Sequence, residues 1–328
     1  MGRTYVKGLV NILVPCYNGE QYIDRFMQSL AKQSYSDIEL IIVNDGSTDN
    51  SEELILSATK NILPSNIKVK YIFQENKGIG GAINTALKEI TGEFFVWFNI
   101  DDILTENCIK LMAEFLEAKQ EYALVRPNVY IVDEQNVENV LGLINDKNPD
   151  ADKEDLFENA INEKNFTFGC SMLRTEVFDE VNPQREIYES RQGQNWQLLL
   201  PVLYEHKSGY ISTPLYSVVE QQESTSRVKS YEKRILQIIE YERIIIETVR
   251  QINMPEHEKK NYIEQIENEY AHKRFNLAIY SGDFPTVKAA YFYLKRKYLL
   301  TKIEKKLYRR RFFRIEYWLY IKKRIMKK

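Results

Sequence analysis

The chain has 328 residues, with 45 Lys and Arg against 47 Asp and Glu and 44% hydrophobic residues, enough for one domain with a sizeable core and a smaller unit. Its three cysteines, Cys16, Cys108 and Cys170, are odd in number and far apart, which excludes a disulfide framework and fits a reducing cytosol. No apolar run reaches about 18 residues, so no membrane-spanning helix is expected, and the short polar stretch 1–8 does not read as a signal peptide.

In chain order, residues 10–15 predict a buried strand that stops at Pro15. A turn carrying Tyr17 and Asn18 follows, then an amphipathic helix through Ala31. Residues 38–43 predict a second buried strand, ending in the polar run 44–49, which starts another helix. Residues 69–73 form a third strand, and Gly78, Gly80 and Gly81 open a helix over 82–90. Residues 94–98 are a fourth strand, which runs through Asn99 and Ile100 into two adjacent carboxylates, Asp101 and Asp102. Strands alternating with helices predict a mostly parallel, doubly wound sheet, in which ligands bind at the carboxyl ends of the strands. Each polar cluster falls at such an end. A pair of carboxylates at a strand tip suits Mg²⁺ or Mn²⁺ holding a diphosphate; alternatively, Asp102 caps a helix starting near Leu104.

Four runs carry a resemblance: Val-Pro-Cys-Tyr-Asn at 14–18, Val-Asn-Asp-Gly-Ser-Thr-Asp at 43–49, Asn-Lys-Gly-Ile-Gly-Gly-Ala-Ile-Asn at 76–84 and Phe-Asn-Ile-Asp-Asp at 98–102. In this order and at these intervals they resemble the motifs of inverting family 2 glycosyltransferases with the GT-A fold. The resemblance is best over residues 9–103 and continues more loosely to about Arg227. It implies a nucleotide-sugar donor, usually a UDP-sugar, a divalent cation (Mn²⁺ or Mg²⁺) and transfer to an acceptor hydroxyl. It places Pro15, Tyr17, Asn18, Asp45, Lys77, Gly78, Asn84, Asn99 and Asp101 at the donor, and Asp101, with Asp102, at the metal.

The side chains suit those roles, with alternatives beside them. Asp45 can accept the imide N–H of uracil, having no other obvious partner in its turn, or it caps the next helix. Tyr17 stacks on the base or packs as an ordinary aromatic. Lys77 and the glycine-rich helix start can meet phosphate, or Lys77 is a solvated loop lysine and the glycines permit a tight turn. The metal motif departs from the family pattern, because Asn99 stands where an aspartate is usual. An inverting transfer also needs a base, and the family's run ending in an acid before Trp is here Gly193, Gln194, Asn195 and Trp196. Asn195 holds the position of the usual base, and an amide takes no proton at neutral pH. Glu189 is the lead candidate to replace it, with Glu220 and Glu223 in a later loop as further candidates. Trp196 faces an acceptor sugar or packs in the core. Gly169, within 166–173, resembles part of the acceptor pocket. The stretch 216–227 resembles a loop closing over diphosphate, with Arg227 available to phosphate and no histidine near Gln221.

The C-terminal part reads differently. Helices are predicted over 231–251, 259–278 and 286–298, like one tetratricopeptide-type hairpin, which alone falls below the number of repeats that stands by itself. It is expected to dock on the catalytic domain or to pair in a homodimer. From Lys295 onward there are 15 Lys or Arg against Glu304 and Glu316, a net of +13, whereas the remainder nets −15. These cations are mixed with aromatics such as Tyr308, Phe312 and Trp318, which suits an anionic membrane surface, at about 1 kcal/mol per basic residue. Packing on the acidic body and nucleic acid are the competing uses, and nucleic acid is not the partner chosen. Residues 145–155 predict a mobile loop.

The resulting expectation is a GT-A transferase domain over 1–228 and a helical, basic region over 229–328, cytoplasmic and peripheral at the inner membrane face. Its task would be to add a sugar to a saccharide or lipid-linked saccharide in bacterial surface-polysaccharide assembly. The alternative, motivated by the amides at Asn99, Gln194 and Asn195, is a catalytically impaired nucleotide-sugar-binding or scaffold protein.

Overall fold

The computed structural model describes residues 3–145, 147–163, 170–220 and 230–310. The chain begins with strand β1 (Val6–Cys16), helix α1 (Ile23–Ala31), β2 (Ile38–Asp45), α2 (Ser51–Asn61), β3 (Lys68–Gln74), α3 (Gly78–Lys88) and β4 (Gly92–Trp97). There follow β5 (Ile103–Leu104), α4 (Cys108–Ala118), β6 (Tyr122–Asp133), β7 (Val140–Leu143), α5 (Phe157–Ile161), β8 (Met172–Arg174), α6 (Thr175–Val181), α7 (Gln194–Glu205) and β9 (Lys207–Glu220). Together they build a nine-stranded sheet of order β3-β2-β1-β4-β8-β6-β9-β5, with β7 beside β6.

The first four strands are parallel; β8 runs antiparallel to both β4 and β6, and β9 parallel to β6. Strand order reverses on either side of β1, the switch point at which α/β sheets open a crevice. Val10, Ile12, Leu13 and Val14 have no exposed surface, as expected of a strand covered on both faces. Phe26, Met27 and Leu30 of α1 and Met112 and Leu116 of α4 join Ile12 and Val14 in one apolar cluster. In register, Cys16 lies opposite Asn44, Asp45 opposite Gln74 and Leu13 opposite Trp97, so the four strands end along one edge of the sheet.

Four local expectations change. The helix begins at Gly78, not Ala82. No helix starts near Leu104: residues 103–104 are strand β5, α4 begins at Cys108 and its N-cap is Asn107, so Asp102 caps nothing. Residues 216–220 are not loop but the end of β9, held parallel to β6 through Glu220 opposite Asp133. Within the stretch expected to be a mobile loop, residues 151–154 are hydrogen-bonded to the sheet. Buried Arg126 of β6 donates Nη2 to the carbonyls of Ala151 (2.7 Å) and Lys153 (3.0 Å) and Nε to Ser208 Oγ (3.1 Å). Burial brings the Arg126 pKa down to about 10 against the smaller upward pull of Tyr210 and the Asp152 charge, and the carbonyls satisfy its buried N–H groups.

Contacts divide the chain into two units, Met1–Gln222 with Gln251–Asn253, and Glu223–Arg250 with Met254–Lys328. The described part of the second unit holds α8 (Tyr231–Gln251), α9 (Glu256–Ser281), α10 (Phe284–Arg296) and α11 (Lys302–Arg309). Phe275, Ala278, Val287, Ala290 and Leu307 form its core, and Tyr291 stacks on Tyr308 at 3.7 Å. Asp283 caps α10 through Thr286 N (3.2 Å) and accepts from Tyr231 OH (2.6 Å). Thr301 and Glu304 form a capping box on α11, and Glu304 also meets His272 of α9 at 2.5 Å. Within the basic tail, residues 302–309 thus form a helix fastened to α9. Its outer side exposes Lys302, Ile303, Lys305, Lys306, Arg309 and Arg310. Residues 311–328 lie outside the described residues. No described helix is long and apolar enough to cross a membrane.

One buried ion pair braces the first unit. Arg185, at φ 53, donates Nε and Nη2 to the two carboxylate oxygens of Asp179 (2.7 and 2.8 Å) and Nη1 to the carbonyls of Leu87 and Ile90 at the end of α3. Tyr5 OH adds a third bond to Asp179 (2.7 Å). Burial works against the Asp179 charge, yet the bonds from Arg185 and Tyr5 and the Arg185 charge hold its carboxyl below the usual aspartate range. Asp179→Ala leaves Arg185 buried and unpaired, so it is expected to cost about 3 kcal/mol at pH 7, read by urea unfolding. Because the folded carboxyl is the stronger acid, this difference is full above the unfolded aspartate pKa of about 4 and shrinks as pH falls through the folded value.

Candidate active site

The site begins where loops after β1 and β2 satisfy each other's backbone. Asn18, at φ 49, accepts on Oδ1 from Thr48 N (2.8 Å) and donates its own N–H to Ser47 Oγ (3.0 Å). Gly19 N donates to Ser51 Oγ (2.8 Å), and Glu20 accepts from Asn50 N (3.0 Å). Asn44, fully buried, accepts from Ser47 N (3.0 Å) and donates to Tyr71 OH (3.1 Å). Tyr17 stands half-exposed beside this lattice, not packed in the core, while Pro15 is backbone in β1 opposite Val43.

Asp45 has partners that its own turn does not reveal. It is 2% exposed, and its Oδ1 accepts from Gln74 Nε2 (2.6 Å) and from the backbone N–H of Lys77 (2.9 Å). It therefore caps no helix of its own loop. It ties β2 to the residue that precedes α3, and its second oxygen has no hydrogen bond among the described residues.

The glycines of α3 serve a close approach. Gly78 lies at φ 77, in the left-handed region, and Gly80 N donates to Ser190 O (2.9 Å). A Cβ on Gly80 would come within 2.6 Å of Tyr188 O and 2.7 Å of Ser190 N. The strap 187–190 thus lies directly on the helix start, which corrects the expectation that these glycines only turn the chain or open backbone N–H groups to phosphate. Asn84 clamps the same strap, donating to Ile187 O and accepting from Ile187 N, both at 2.8 Å, so both sides of its amide face protein. Lys77 is exposed, as is Glu189, whose carboxylate has no partner among the described residues.

Beyond β4, the Asn99–Asp102 turn is held from two sides. Arg25 of α1 donates Nη2 to Asp101 O (2.7 Å). Asp102 is 2% exposed, and its Oδ2 accepts from Asn99 Nδ2 (3.0 Å) and from the hydroxyl of Tyr216. Burial, then the neighbouring Asp101 charge, pushes the Asp102 carboxyl up to about 8, against the pull of those bonds. Asp101 itself is only partly buried. No group of three or more His, Cys, Asp or Glu that could hold a metal ion occurs among the described residues. The donor set nonetheless fits a hard divalent cation: two adjacent carboxylates and an amide supply oxygens only, the mutual repulsion of Asp101 and Asp102 is what such a cation relieves, and phosphate and water complete its shell.

Two downstream expectations are settled by α7. Gly193, at φ 79, starts it, and the next positions point apart. Asn195 reaches back to β4, its Oδ1 accepting from Trp97 Nε1 at 2.8 Å. Since an indole N–H only donates, this contact assigns the amide oxygen to Trp97 and leaves the amino group as the rest of the side chain's chemistry. Trp196 is 7% exposed and donates to Ala160 O (3.2 Å) of α5, so it is a core residue and its face is not presented to an acceptor sugar. Glu220 is the last residue of β9 rather than a loop residue. Gly169, Gln221, Glu223 and Arg227 lie outside the described residues. Sequence reasoning missed Arg25 and Tyr216, for which no local motif exists.

Comparison with known proteins agrees with this geometry. Residues 11–181, just over half of the chain, match the family described as Glycosyl transferase family 2. An uncharacterized glycosyltransferase of Rickettsia conorii is 39% identical over 108 residues, 33% of this chain and 17% of that protein. Glycosyltransferase GlyG of Streptococcus pneumoniae is 33% identical over 129 residues, 39% of this chain and 41% of its own length. The chain thus spans well under half the length of these relatives. Among solved structures, S. aureus TarS 1–349 in complex with UDP-GlcNAc has a TM-score of 0.58 at 22% identity, covering 80% of this chain and 72% of that one. The mannosyltransferase PcManGT from Pyrobaculum calidifontis, in complex with GDP-Man and Mn²⁺, has a TM-score of 0.51 at 16% identity, covering 91% and 77%. At these identities the structures speak for the fold, and they share the GT-A arrangement of a mixed sheet between helices. The family match covers more than half of the chain, and the chain belongs to glycosyl transferase family 2.

Proposed function

We propose that residues 1–228 transfer a sugar from a nucleotide-sugar, in our reading a UDP-sugar, to an acceptor hydroxyl with inversion, in assembly of a bacterial surface polysaccharide. The observation that carries this is the convergence at one sheet edge of Tyr17, Asn18, Asp45, Lys77 and the Asn99–Asp102 turn, where Lys77 is exposed and one Asp45 oxygen has no hydrogen bond among the described residues. Half-exposed Tyr17 offers a face to the base, and the unbonded Asp45 oxygen accepts the uracil imide N–H. Lys77 meets diphosphate charge, and Asn99 offers its amide oxygen to a ribose hydroxyl. Asp101 and Asp102 would hold Mn²⁺ or Mg²⁺, which when bound offsets the charge of the leaving diphosphate. UDP-GlcNAc in TarS supports the donor class, and Mn²⁺ in PcManGT the cation.

For the transfer, Glu189 takes the proton of the acceptor hydroxyl, the oxygen bonds to the anomeric carbon, and the bond from that carbon to the nucleoside diphosphate breaks. Support for Glu189 is its place on the strap between the α3 start and α7, with no partner of its own, while the Asn195 oxygen is committed to Trp97. That same commitment favours a second reading, a nucleotide-sugar-binding or scaffold protein without turnover. The C-terminal region 229–328 brings its cations, among them the exposed Lys302, Lys305, Lys306, Arg309 and Arg310, to the anionic cytoplasmic face of a membrane, where lipid-linked acceptors reside.

Asp101→Ala is expected to abolish metal-dependent UDP binding in calorimetry with and without Mn²⁺; unchanged affinity refutes its role. Glu189→Gln should lower turnover by about 10²- to 10⁴-fold while sparing UDP binding, and full activity removes it as base. UDP binding with no transfer to any acceptor in a saccharide panel selects the second reading. The intact chain should sediment with phosphatidylserine vesicles and release as salt rises; no sedimentation at low salt ends the membrane proposal.

A further inference from the structure

The Asn99–Asp102 turn owes its shape to residues far away in sequence. Asp102 is almost fully buried, and one of its oxygens receives both the Asn99 amide and the Tyr216 hydroxyl. Tyr216 is itself 2% exposed, and its position is set by the sheet: it lies opposite Leu104 of β5, and its ring packs on Phe98 at 5.6 Å. On the other side, Arg25 holds the Asp101 carbonyl, its guanidinium 5.6 Å from the Tyr22 ring and its buried Nε without a hydrogen-bond partner among the described residues. A buried hydroxyl aimed at a buried carboxylate beside the partly exposed Asp101 is an expensive arrangement for a core to adopt. Replacing both groups by apolar ones of similar shape would pack as well.

We propose that Tyr216 is a positioning residue for the divalent cation and the donor diphosphate, acting through Asp102. The inference rests on the reading above that this turn receives the cation. The hydroxyl fixes the rotamer of Asp102 and, with Arg25 on the adjacent carbonyl, sets the direction in which the turn presents Asp101. Groups that orient a ligating carboxylate control metal affinity without touching the metal. β9 thereby belongs to the donor site, although none of its residues stands at the tips of the four parallel strands.

The test uses the full chain and the variants Tyr216→Phe, Asp102→Asn and the double variant. The Mn²⁺ concentration that half-saturates UDP binding is read by calorimetry, alongside the unfolding temperature without ligand. Tyr216→Phe keeps the ring on Phe98. It should raise the half-saturating Mn²⁺ about 10- to 100-fold and leave UDP binding without metal unchanged, as removal of a group behind a metal ligand does. The double variant should be no weaker than the weaker single variant, since both act through one contact. An unchanged Mn²⁺ requirement in Tyr216→Phe, or effects that simply multiply in the double variant, overturns the proposal. Should Tyr216→Phe not fold, Asp102→Asn decides, because an unaltered Mn²⁺ requirement there removes the residue through which Tyr216 is said to act. A wild-type chain whose UDP binding ignores Mn²⁺ removes the cation reading itself, and this inference with it. Metal-dependent wild-type binding with an unmoved Tyr216→Phe counts against Tyr216 alone.

Discussion

Parallel strands that end together bring several loops to one edge, and each loop arrives with backbone groups that its own residues cannot satisfy. This chain meets that constraint with short polar side chains shared between loops. Asn18 serves Thr48, Ser47 serves Asn18, Ser51 serves Gly19, and Glu20 serves Asn50. Asp45 extends the lattice by accepting from Gln74 and from the N–H of Lys77. Each bond contributes on the order of 1 kcal/mol, but a buried orphan would cost more, so the loops are held in one arrangement. The side chains left over at that edge are the ones available to a ligand.

A second constraint sits at α3. Its first turn lacks side chains at Gly78 and Gly80, and the strap 187–190 lies in the space so left. Asn84 fastens one end of the strap, Arg185 ties the preceding residues to the end of α3, and Gln197 of α7 holds Tyr188 N (2.6 Å). The strap carries Glu189, and α7 carries Asn195 back to Trp97. A run of glycine that looks like a phosphate loop is thus also the seat of a distant segment.

The charge asymmetry is partly absorbed by structure. Glu304, one of two acids among the tail's cations, is buried at the start of α11 and faces His272, so the tail's first helix is fastened to α9 and turns its lysines outward. The cationic character is therefore displayed on a folded surface, at least over residues 302–310.

Residue type and spacing determined the four alternating strands and helices, the polar tips, and helix α8, since these depend on runs of four to twenty neighbouring residues whose burial pattern repeats with the element's own period. The family followed from the order of the same local runs. What the sequence could not hold was which face meets what. Trp196 and Asn195 are adjacent, yet one is core and the other reaches β4, because successive residues on a helix point about 100° apart and only the packed neighbours α5 and β4 decide which side is dry. Residues 216–220, which the family resemblance placed in a closing loop, are strand because β6 is there to pair with them. Asp102 looked like a metal ligand or a cap; in the fold, burial and the neighbouring Asp101 charge raise its proton affinity, while a hydroxyl from Tyr216, 114 positions away, bonds to it and pulls the other way. Such pairings are fixed by the order of strands in the sheet, a property of the closed fold that no window of sequence contains.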